Sequence, residues 1–240
     1  MALSSARMSD LRSAGKRAAA RAVADTIPSG VKLGLGTGST VAFFLDRLGE
    51  RARDEGFSVT GVPTSEATAE LALRLGLRIV SLDDVDRLDV AVDGADEIDP
   101  NLDLIKGGGA ALTREKIVAA AADHFVVIAD DTKLVPRLGA TFRLPIEVLT
   151  FGWRQSAAAV AALGLKNTRR ARSDGRPVIT DNGNFVLDAD LPARTDLRGL
   201  ELALNAIPGV LECGLFVGMA GEAFVGDAAG QVRRIRREKS

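Results

Sequence analysis

The stretch DGADEIDPNLDLIKGGGAALTREK occupies residues 93–116 and directly follows a short apolar run at residues 88–92. An apolar run that stops abruptly at acidic residues is typical of a buried strand emerging at the edge of an open α/β sheet. Ligands bind at the carboxyl ends of such strands. The three glycines at 107–109 let backbone N–H groups approach a ligand without interference from a Cβ atom. The stretch therefore predicts an α/β fold with a ligand site at one edge of the sheet.

Good helix formers without Gly or Pro predict a helix over residues 110–122. Four of its residues share one face: Ala111, Glu115, Val118 and Ala122. An ionised carboxylate in such an apolar stripe is costly unless it is paired or faces a polar cleft. Glu115 is therefore a candidate functional acid. The alternative is that this alanine-rich helix buries another face and Glu115 points to water, and the spacing does not decide between the two.

A second loop, GTGST at residues 36–40, lies between a predicted strand at 31–35 and a predicted helix at 40–53. Ser39 or Thr40 is expected to cap that helix through its side chain. Free N–H groups, hydroxyls and the positive helix end together favour a phosphate. The pattern lacks both the Gly-Lys-Ser/Thr of the P-loop and the third glycine of a dinucleotide fingerprint, so a monophosphate fits better. A structural turn without a ligand is the alternative.

The composition restricts the chemistry. The 240 residues, 46% of them hydrophobic, suffice for one large domain or two small ones. With 31 basic and 32 acidic residues, no global basic field suggests a nucleic-acid partner. His124 and Cys213 are the only residues of their kinds, which excludes a His/Cys zinc site and an internal disulfide. The default explanations are a cation near a helix end for His124 and a buried inert thiol for Cys213. Acid–base chemistry must then rest mainly on carboxylates and lysines.

The chain contains no apolar run of membrane-spanning length and no secretory hydrophobic segment, which predicts a cytoplasmic protein without a membrane partner. Residues 1–7 are interpreted as a frayed extension and the basic residues 233–239 as a solvated terminus.

Helices and strands alternate up to about residue 140, which implies a Rossmann-like parallel sheet flanked by helices. The predicted helices are 10–26, 40–53, 65–75 and 110–122, and the predicted strands are 31–35, 57–61, 77–80, 88–92 and 125–129.

After residue 140 the predicted order changes, and it suits a small ferredoxin-like α+β domain. It comprises strand 143–149, helix 153–163, strands near 166–172, 177–180 and 184–188, helix 196–206 and strand 210–217. A hairpin turn is indicated at 181–184. We expect residues 1–140 to form the catalytic domain, with the chain returning to it at 211–240, and residues 141–210 to form the small domain, with a role in assembly.

Four blocks resemble, in order, the signature segments of type A ribose-5-phosphate isomerase. They are GTGST at 36–40, DGADE at 93–97, KGGGAALTREK at 106–116 and TDNGN at 180–184. The similarity covers nearly the whole chain, and the departures are the N-terminal extension, the charged tail and a second unit that matches only in its turns. The resemblance implies interconversion of D-ribose 5-phosphate and D-ribulose 5-phosphate in the pentose phosphate pathway. It also implies no metal or organic cofactor, a small sugar phosphate as the partner, and a homodimer or homotetramer.

Carried over position by position, the resemblance implies that Glu115 is the catalytic base and that Asp93, Asp96 and Lys106 are polar active-site groups. The substrate-binding positions it implies are Thr37, Gly38, Ser39, Thr40, Asp93, Gly94, Ala95, Asp96, Lys106, Gly107, Gly108, Gly109 and Lys133. The chemistry independently needs such a set. One carboxylate must move a proton between neighbouring carbons of an enediol, and Lys106 with backbone N–H groups could stabilise the charge that develops on oxygen.

Several roles stay open at this level. Asp93 and Asp96 either address sugar hydroxyls, assist ring opening or only make turn hydrogen bonds. Lys133 is alternatively a solvated loop charge, and Lys16 on the first helix is a weaker candidate. Three further acids are interpreted as surface or structural residues: Glu97, Asp99 and Asp103.

Two rival protein classes share features of this pattern. A sugar-phosphate-sensing regulator would bind the same ligand without turnover, and an acyl-CoA transferase would use a glutamate as nucleophile. The lysine and three glycines that lead into Glu115 favour the isomerase.

Overall fold

The structure, a computed structural model, describes residues 5–193 and 195–237, and it describes the side chains from residue 13 onward. The first helix already begins at Ser5. Residues 5–7 are therefore helical, and for them the interpretation as a frayed extension is wrong. Residues 1–4 and 238–239, which belong to the predicted extension and basic terminus, lie outside the described residues.

The helices of the described chain, apart from two short 3-10 turns, are α1 (Ser5–Ala24), α2 (Ser39–Asp54), α3 (Glu66–Arg74), α4 (Leu112–Ala120), α5 (Trp153–Ala162) and α6 (Leu197–Asn205). The strands are β1 (Lys32–Leu35), β2 (Thr60–Pro63), β3 (Arg78–Ile79), β4 (Leu88–Asp93), β5 (Glu97–Ile98), β6 (Leu104–Ile105), β7 (Ala122–Asp130), β8 (Leu144–Val148), β9 (Asn167–Arg169), β10 (Phe185–Ala189), β11 (Val210–Cys213), β12 (Leu215–Phe216), β13 (Glu222–Gly226) and β14 (Val232–Arg236).

A seven-stranded sheet forms the larger unit, with the strand order β14-β13-β7-β4-β1-β2-β3. Its strands are parallel except β14, which runs antiparallel to β13 at the edge. On one face the sheet packs on apolar side chains of α1 and α2 such as Val23, Phe44 and Leu48. On the other face it packs on Val118 of α4 and on Phe216. The predicted Rossmann-like sheet with helices on both faces is confirmed.

The smaller unit is an antiparallel sheet in the order β11-β8-β10-β9 with α5 and α6. Counted within this unit, the order is fourth, first, third, second strand of a β-α-β-β-α-β chain, which is the ferredoxin-like arrangement that the sequence predicted. Its core includes Ile146, Val160 and Leu204. A third, three-stranded sheet in the order β12-β6-β5 lies where the chain passes between the two larger sheets.

The sequence prediction fails in several places. It lacks the short strands β5 and β6, and the strand predicted at 210–217 is divided into β11 and β12, which belong to different sheets. The strand predicted at 177–180 is replaced by isolated bridges that join Pro177 to Ala171 and Ile179 to Phe185. The chain after residue 220, for which no strand was predicted, forms β13 and β14. Of the predicted basic terminus, residues 233–236 thus belong to an edge strand, although its arginine side chains mostly stay in water. A charged edge strand discourages pairing with another chain, so arginines suit this position.

No helix among the described residues combines the length and the apolar character needed to cross a membrane.

Candidate active site

The two glycine-containing loops meet because β1 and β4 are parallel neighbours, with Leu35 opposite Val92. The chain after each strand therefore emerges at the same edge of the sheet. Gly36 donates its N–H to the carbonyl of Val92 at 2.9 Å. A Cβ atom at Gly36 would overlap the Asp93 carboxyl, so this close approach requires glycine.

Helix α2 begins at Ser39, directly after Gly38, whose φ of 120° favours glycine. The predicted capping by Ser39 or Thr40 is wrong, because no side chain caps this helix and both residues already lie in its first turn. Lys16 on α1 reaches the same place and donates to the Ser39 hydroxyl at 3.0 Å. An uncapped helix start, two hydroxyls and an ammonium group thus lie together, and such a site attracts an anion.

The side chain of Thr37 has a different environment from the rest of that loop. Its hydroxyl lies 2.7 Å from that of Thr64 and 2.8 Å from that of Ser65, at the start of α3. The Thr37 hydroxyl therefore ties the loop to α3, while its backbone N–H donates to Asp93 at 3.1 Å.

Lys106 lies at the centre of a buried charge cluster. Its Nζ donates to the carbonyl of Gly94 at 2.6 Å and lies 3.1 Å from Asp93 Oδ2 and 3.4 Å from Glu115 Oε2. Burial by itself would lower the pKa of Lys106, but the charges of Asp93 and Glu115 outweigh it and the pKa stands above its ordinary value. Lys106 is therefore a fixed cation between two carboxyl groups.

Glu115 is only 4% exposed, and its Oε2 has no hydrogen-bond partner among the described residues, although it forms an ion pair with Lys106 at 3.4 Å. Burial, together with the negative charge of Asp93, raises the pKa of Glu115 to about 8, against the opposing charge of Lys106. The alternative that Glu115 points to water is thereby excluded. This carboxyl can take up and release a proton near neutral pH.

Asp93 and Asp96 both accept hydrogen bonds from backbone N–H groups, but only Asp93 does so within its own turn, because the donor to Asp96 lies in the glycine loop. Asp93 Oδ1 accepts from Gly94 N–H at 2.7 Å, and burial raises the pKa of Asp93 against the charge of Lys106. Asp96 Oδ2 accepts from the N–H of Gly108 at 2.7 Å. A Cβ at Gly108 would lie 2.6 Å from Asp96 Oδ1, so the glycine allows the loop to approach this acid.

These groups surround an open cleft. It is lined by Lys16, Thr37, Gly38, Ser39, Thr40, Gly94, Ala95, Asp96, Lys106, Gly107, Gly108, Gly109, Glu115 and Lys133. The structure thus brings the predicted site residues together, except that Asp93 lies beneath the cleft, behind Lys106. Lys16, the weaker candidate, also lines it. The sequence did contain a signal for Lys16. Its spacing from Ala19, Ala20 and Val23 places it on the helix face that these buried residues share.

Two further residues near the site were missed by the sequence analysis. Glu147 on β8 is fully buried and accepts from Thr180 Oγ1 at 2.7 Å, from Asn184 Nδ2 at 3.0 Å and from the hydroxyl of Thr113 on α4. Arg170, after β9, donates to carbonyls of the glycine loop. Both residues contact segments that are distant from them in the sequence, so no local pattern pointed to them. Glu97, left as surface or structural, is also buried and accepts from the N–H of Gly139 at 2.6 Å.

Among the described residues, one group has the side chains to hold a metal ion: Glu201, Glu212 and Cys213. The Nζ of Lys116 already lies 2.8 Å from a carboxylate oxygen of each glutamate. Burial raises the pKa of the Cys213 thiol to about 11, in line with an inert thiol. The ammonium group of Lys116 thus lies between the two glutamates, where a metal ion would have to bind.

The fold and the cleft define a class of protein. A buried carboxyl that exchanges protons, a fixed ammonium group beside it and an anion site at a helix start belong to an enzyme that moves a proton within a phosphorylated substrate.

Comparisons with known proteins identify the family within that class. The family model of ribose 5-phosphate isomerase A (phosphoriboisomerase A) matches residues 60–230. Ribose-5-phosphate isomerase A of Bradyrhizobium diazoefficiens is 49% identical over 234 residues, covering 93% of this chain and 95% of that protein. The protein of the same name from Rhodopseudomonas palustris is 51% identical, with 92% and 97% covered. This chain therefore belongs to the ribose 5-phosphate isomerase A family of aldose–ketose isomerases, as its motifs predicted.

Solved structures agree. Ribose 5-phosphate isomerase A of Methanocaldococcus jannaschii superposes with a TM-score of 0.87 at 39% identity, over 92% of this chain and 97% of that one. A D-ribose-5-phosphate isomerase in complex with phospho-erythronic acid gives a TM-score of 0.89 at 44% identity, with the same coverage.

Proposed function

We propose that the cleft interconverts D-ribose 5-phosphate and D-ribulose 5-phosphate, with Glu115 moving the proton. One observation carries the assignment of Glu115. It is a buried carboxyl that lines the cleft, and its Oε2 accepts no hydrogen bond among the described residues but forms an ion pair with the ammonium of Lys106 at 3.4 Å. A carboxylate that is desolvated but not saturated with hydrogen bonds keeps its basicity for a substrate.

In the aldose-to-ketose direction, the Glu115 carboxylate takes the proton from C2. The electrons of the broken C–H bond form a double bond between C1 and C2, and the electrons of the C1 carbonyl move to its oxygen. The oxygen on C1 gains a proton and the hydroxyl on C2 loses one, so that one proton moves in effect from O2 to O1 through an enediol intermediate. As the carbonyl forms at C2, the electrons of the C1–C2 double bond take the proton from Glu115 at C1. One residue therefore serves as base and then as acid.

The oxygen that gains charge needs a fixed donor close by. Lys106 and the backbone N–H groups of the glycine loop line the same part of the cleft as Glu115, and they are assigned this role. Loss of a single preorganised donor of this kind lowers kcat by roughly 10²–10³-fold in other enzymes. Asp96 is assigned to a sugar hydroxyl through the carboxylate oxygen that does not accept from Gly108. Asp93 acts from beneath by fixing Lys106.

The phosphate is assigned to the start of α2. Support comes from the uncapped helix, from the hydroxyls of Ser39 and Thr40, and from Lys16 at 3.0 Å from Ser39. Lys133 lines the cleft as well and supplies a further positive charge. Because one solved relative carries phospho-erythronic acid, we expect this chain to bind the same compound in this cleft.

The domain and assembly assignments are also proposals. The proposed catalytic domain comprises residues 1–140 with 211–240, and the proposed small domain comprises residues 141–210. Because β11 is a strand of the small sheet, we place the end of the small domain at Cys213 instead. A homodimer or homotetramer that assembles through the small domain would cover Phe151, which is 91% exposed, and Leu202, which is 68% exposed. A place in the pentose phosphate pathway follows from the substrate, and a cytoplasmic location is part of the proposal.

The experiment that tests the function is an isotope-exchange assay. Ribose 5-phosphate is incubated with the protein in heavy water, with a metal chelator present, and the sugar is followed by NMR. We expect ribulose 5-phosphate to appear with deuterium at C1, and the recovered ribose 5-phosphate to carry deuterium at C2. A sugar that stays unlabelled with folded protein would contradict the proposal and would fit a sensor or a transferase. Activity that depends on an unchelated metal would contradict the cofactor-free mechanism.

A further inference from the structure

Arg170 connects the small unit to the glycine loop of the cleft. Its Nη1 donates to the carbonyl of Gly107 at 2.8 Å and to that of Gly108 at 3.0 Å. The other side of its guanidinium faces Asp188 on β10, where Nε donates to Oδ2 at 3.0 Å. The guanidinium is therefore a fixed bridge between a strand of the small unit and two successive carbonyls of the loop.

The peptide geometry of the loop turns this contact into an orientation of N–H groups. No cis peptide bond occurs in the described chain, so each carbonyl of the loop points opposite to the N–H that follows it. With the Gly107 carbonyl on Arg170, the N–H of Gly108 points the other way, where it meets Asp96 at 2.7 Å. With the Gly108 carbonyl on Arg170, the N–H of Gly109 is likewise turned away from Arg170.

The N–H of Gly109 has no acceptor in the part of the chain that the structure describes, and Gly109 lines the cleft. The loop also contains two residues with positive φ, Gly107 at 106° and Ala110 at 62°. A non-glycine residue in this conformation persists only where its surroundings impose it. Within the loop, the Ala110 N–H donates to the Gly107 carbonyl at 3.0 Å, and from outside Arg170 adds a contact to that carbonyl and one to the next.

We infer that Arg170 is a positioning residue of the isomerisation: by fixing the two carbonyls it aims the N–H of Gly109 at the enediol oxygen and keeps Gly108 on Asp96. The inference rests on the proposed function, because it assigns a purpose to an N–H in that site. Arginine suits the task because its planar fork spans two acceptors and a carboxylate at once, which the ammonium of lysine does not.

Arg170→Met tests this inference. We expect kcat for ribose 5-phosphate to fall by roughly 10²-fold, the low end for loss of one such donor, with KM changed less than about twofold because the phosphate end is intact. The probes are phospho-erythronic acid, whose carboxylate resembles the charged enediol, and inorganic phosphate. The variant should bind the first much more weakly and the second with unchanged affinity.

Arg143→Met is the matched control. Arg143 also belongs to the small unit, pairs with Asp190 at 2.6 Å and donates to a backbone carbonyl, that of Lys166, but it does not contact the glycine loop. Because its ion pair is more exposed than that of Arg170, its loss should lower thermal stability by less, and it should leave kcat and both affinities alone. If Arg170→Met keeps its kcat, or if both probes weaken equally in it, Arg170 is only structural and the inference is wrong.

Two milder variants decide the question if Arg170→Met fails to fold. Arg170→Lys keeps one charged donor and should recover part of kcat. Asp188→Asn keeps the arginine but removes its charged partner and should lower kcat by a few fold. Normal kcat in both would overturn the inference. Failure of the proposed site itself is recognised separately, because Glu115→Gln would then retain activity whatever the Arg170 variants do.

Discussion

Glu115 and Glu147 are both buried glutamates, at 4% and 0% exposure, yet their surroundings differ. Glu147 accepts hydrogen bonds from four side chains: Thr113, Thr180, Asn182 and Asn184. Glu115 has a carboxylate oxygen without any hydrogen-bond partner among the described residues. A saturated buried carboxylate stabilises the structure around it, whereas an unsaturated one is costly and is tolerated where it serves chemistry.

The two acids are also connected. Thr113, which donates to Glu147, lies two residues before Glu115 in the first turn of α4. Next to it, Arg114 donates to Asn182 Oδ1 at 2.8 Å, so the turn of the small unit is attached to the start of the helix that carries Glu115. The saturated acid thus helps to hold the unsaturated one in place.

The largest effect is expected from Glu115→Gln. We expect kcat for ribose 5-phosphate to fall by at least roughly 10²-fold, because the amide cannot take the proton from C2. The variant should be no less stable than the original, since a neutral amide is less costly in this buried place than a carboxylate. The measurement is steady-state kinetics together with thermal unfolding. Near-normal turnover would show that the contrast between the two acids has no catalytic meaning.

The pH dependence of the rate sharpens the contrast. Because burial raises the pKa of Glu115 to about 8, the basic form is scarce below that pH. We expect kcat/KM to increase about tenfold per pH unit until it levels off near pH 8. The apparent pKa belongs to the coupled cluster of Asp93, Lys106 and Glu115. A rate that is flat between pH 6 and about 8 would contradict the assignment.

The raised pKa of Glu115 also predicts how folding stability depends on pH. Between the ordinary value of 4.5 and about 8, Glu115 keeps its proton in the folded chain and loses it in the unfolded chain. The free energy of unfolding should therefore decrease as the pH rises through this range. Above about pH 8 the decrease that Glu115 causes should be complete. In Glu115→Gln the contribution is absent, so the stability of the variant relative to the original should increase from pH 4.5 to about 8. An unchanged difference across this range would contradict the shifted pKa.

Glu147→Gln should affect stability instead of chemistry. An amide offers one acceptor oxygen and brings an NH₂ group against donors, so we expect a loss of about 1–3 kcal/mol in the free energy of unfolding. The kcat of the folded fraction should change by less than about tenfold, because the contact with Thr113 only supports α4. Glu222→Gln is the control, since Glu222 pairs with Arg234 at the exposed sheet edge and should matter little. If Glu147→Gln lost kcat but kept its full stability, the different roles assigned to Glu115 and Glu147 would be wrong.

The smallest effect is expected at the other end of the cleft. In the double variant Ser39→Ala with Thr40→Ala, KM for ribose 5-phosphate should rise by about tenfold, since two hydroxyl contacts to a charged group are lost but the helix start remains. Ser29→Ala, a change in an exposed loop serine that bonds Ser58, serves as the control. An unchanged KM would remove the phosphate from the start of α2.

Much of the site could be predicted because each of its parts is a local feature. A short stretch of sequence is enough to recognise each of them: the spacing around Glu115, the three glycines after Lys106 and the loop at 36–40. Other features escaped for the same reason. Arg170 contacts a loop 62 residues away at Gly108, and Glu147 accepts from an asparagine 37 residues away.

The sequence by itself determined the alternation of elements, since periodicity, glycine and charge act over short stretches of chain. Through the resemblance of its motifs it also indicated the family and most of the residues that line the cleft. Only the tertiary structure decided that a Glu115 oxygen lacks a hydrogen bond among the described residues while Glu147 is saturated, and that α2 starts uncapped beside Lys16. The physical reason is that the basicity of a carboxyl depends on its desolvation and on every donor around it. Those neighbours come from strands and helices that only folding brings together.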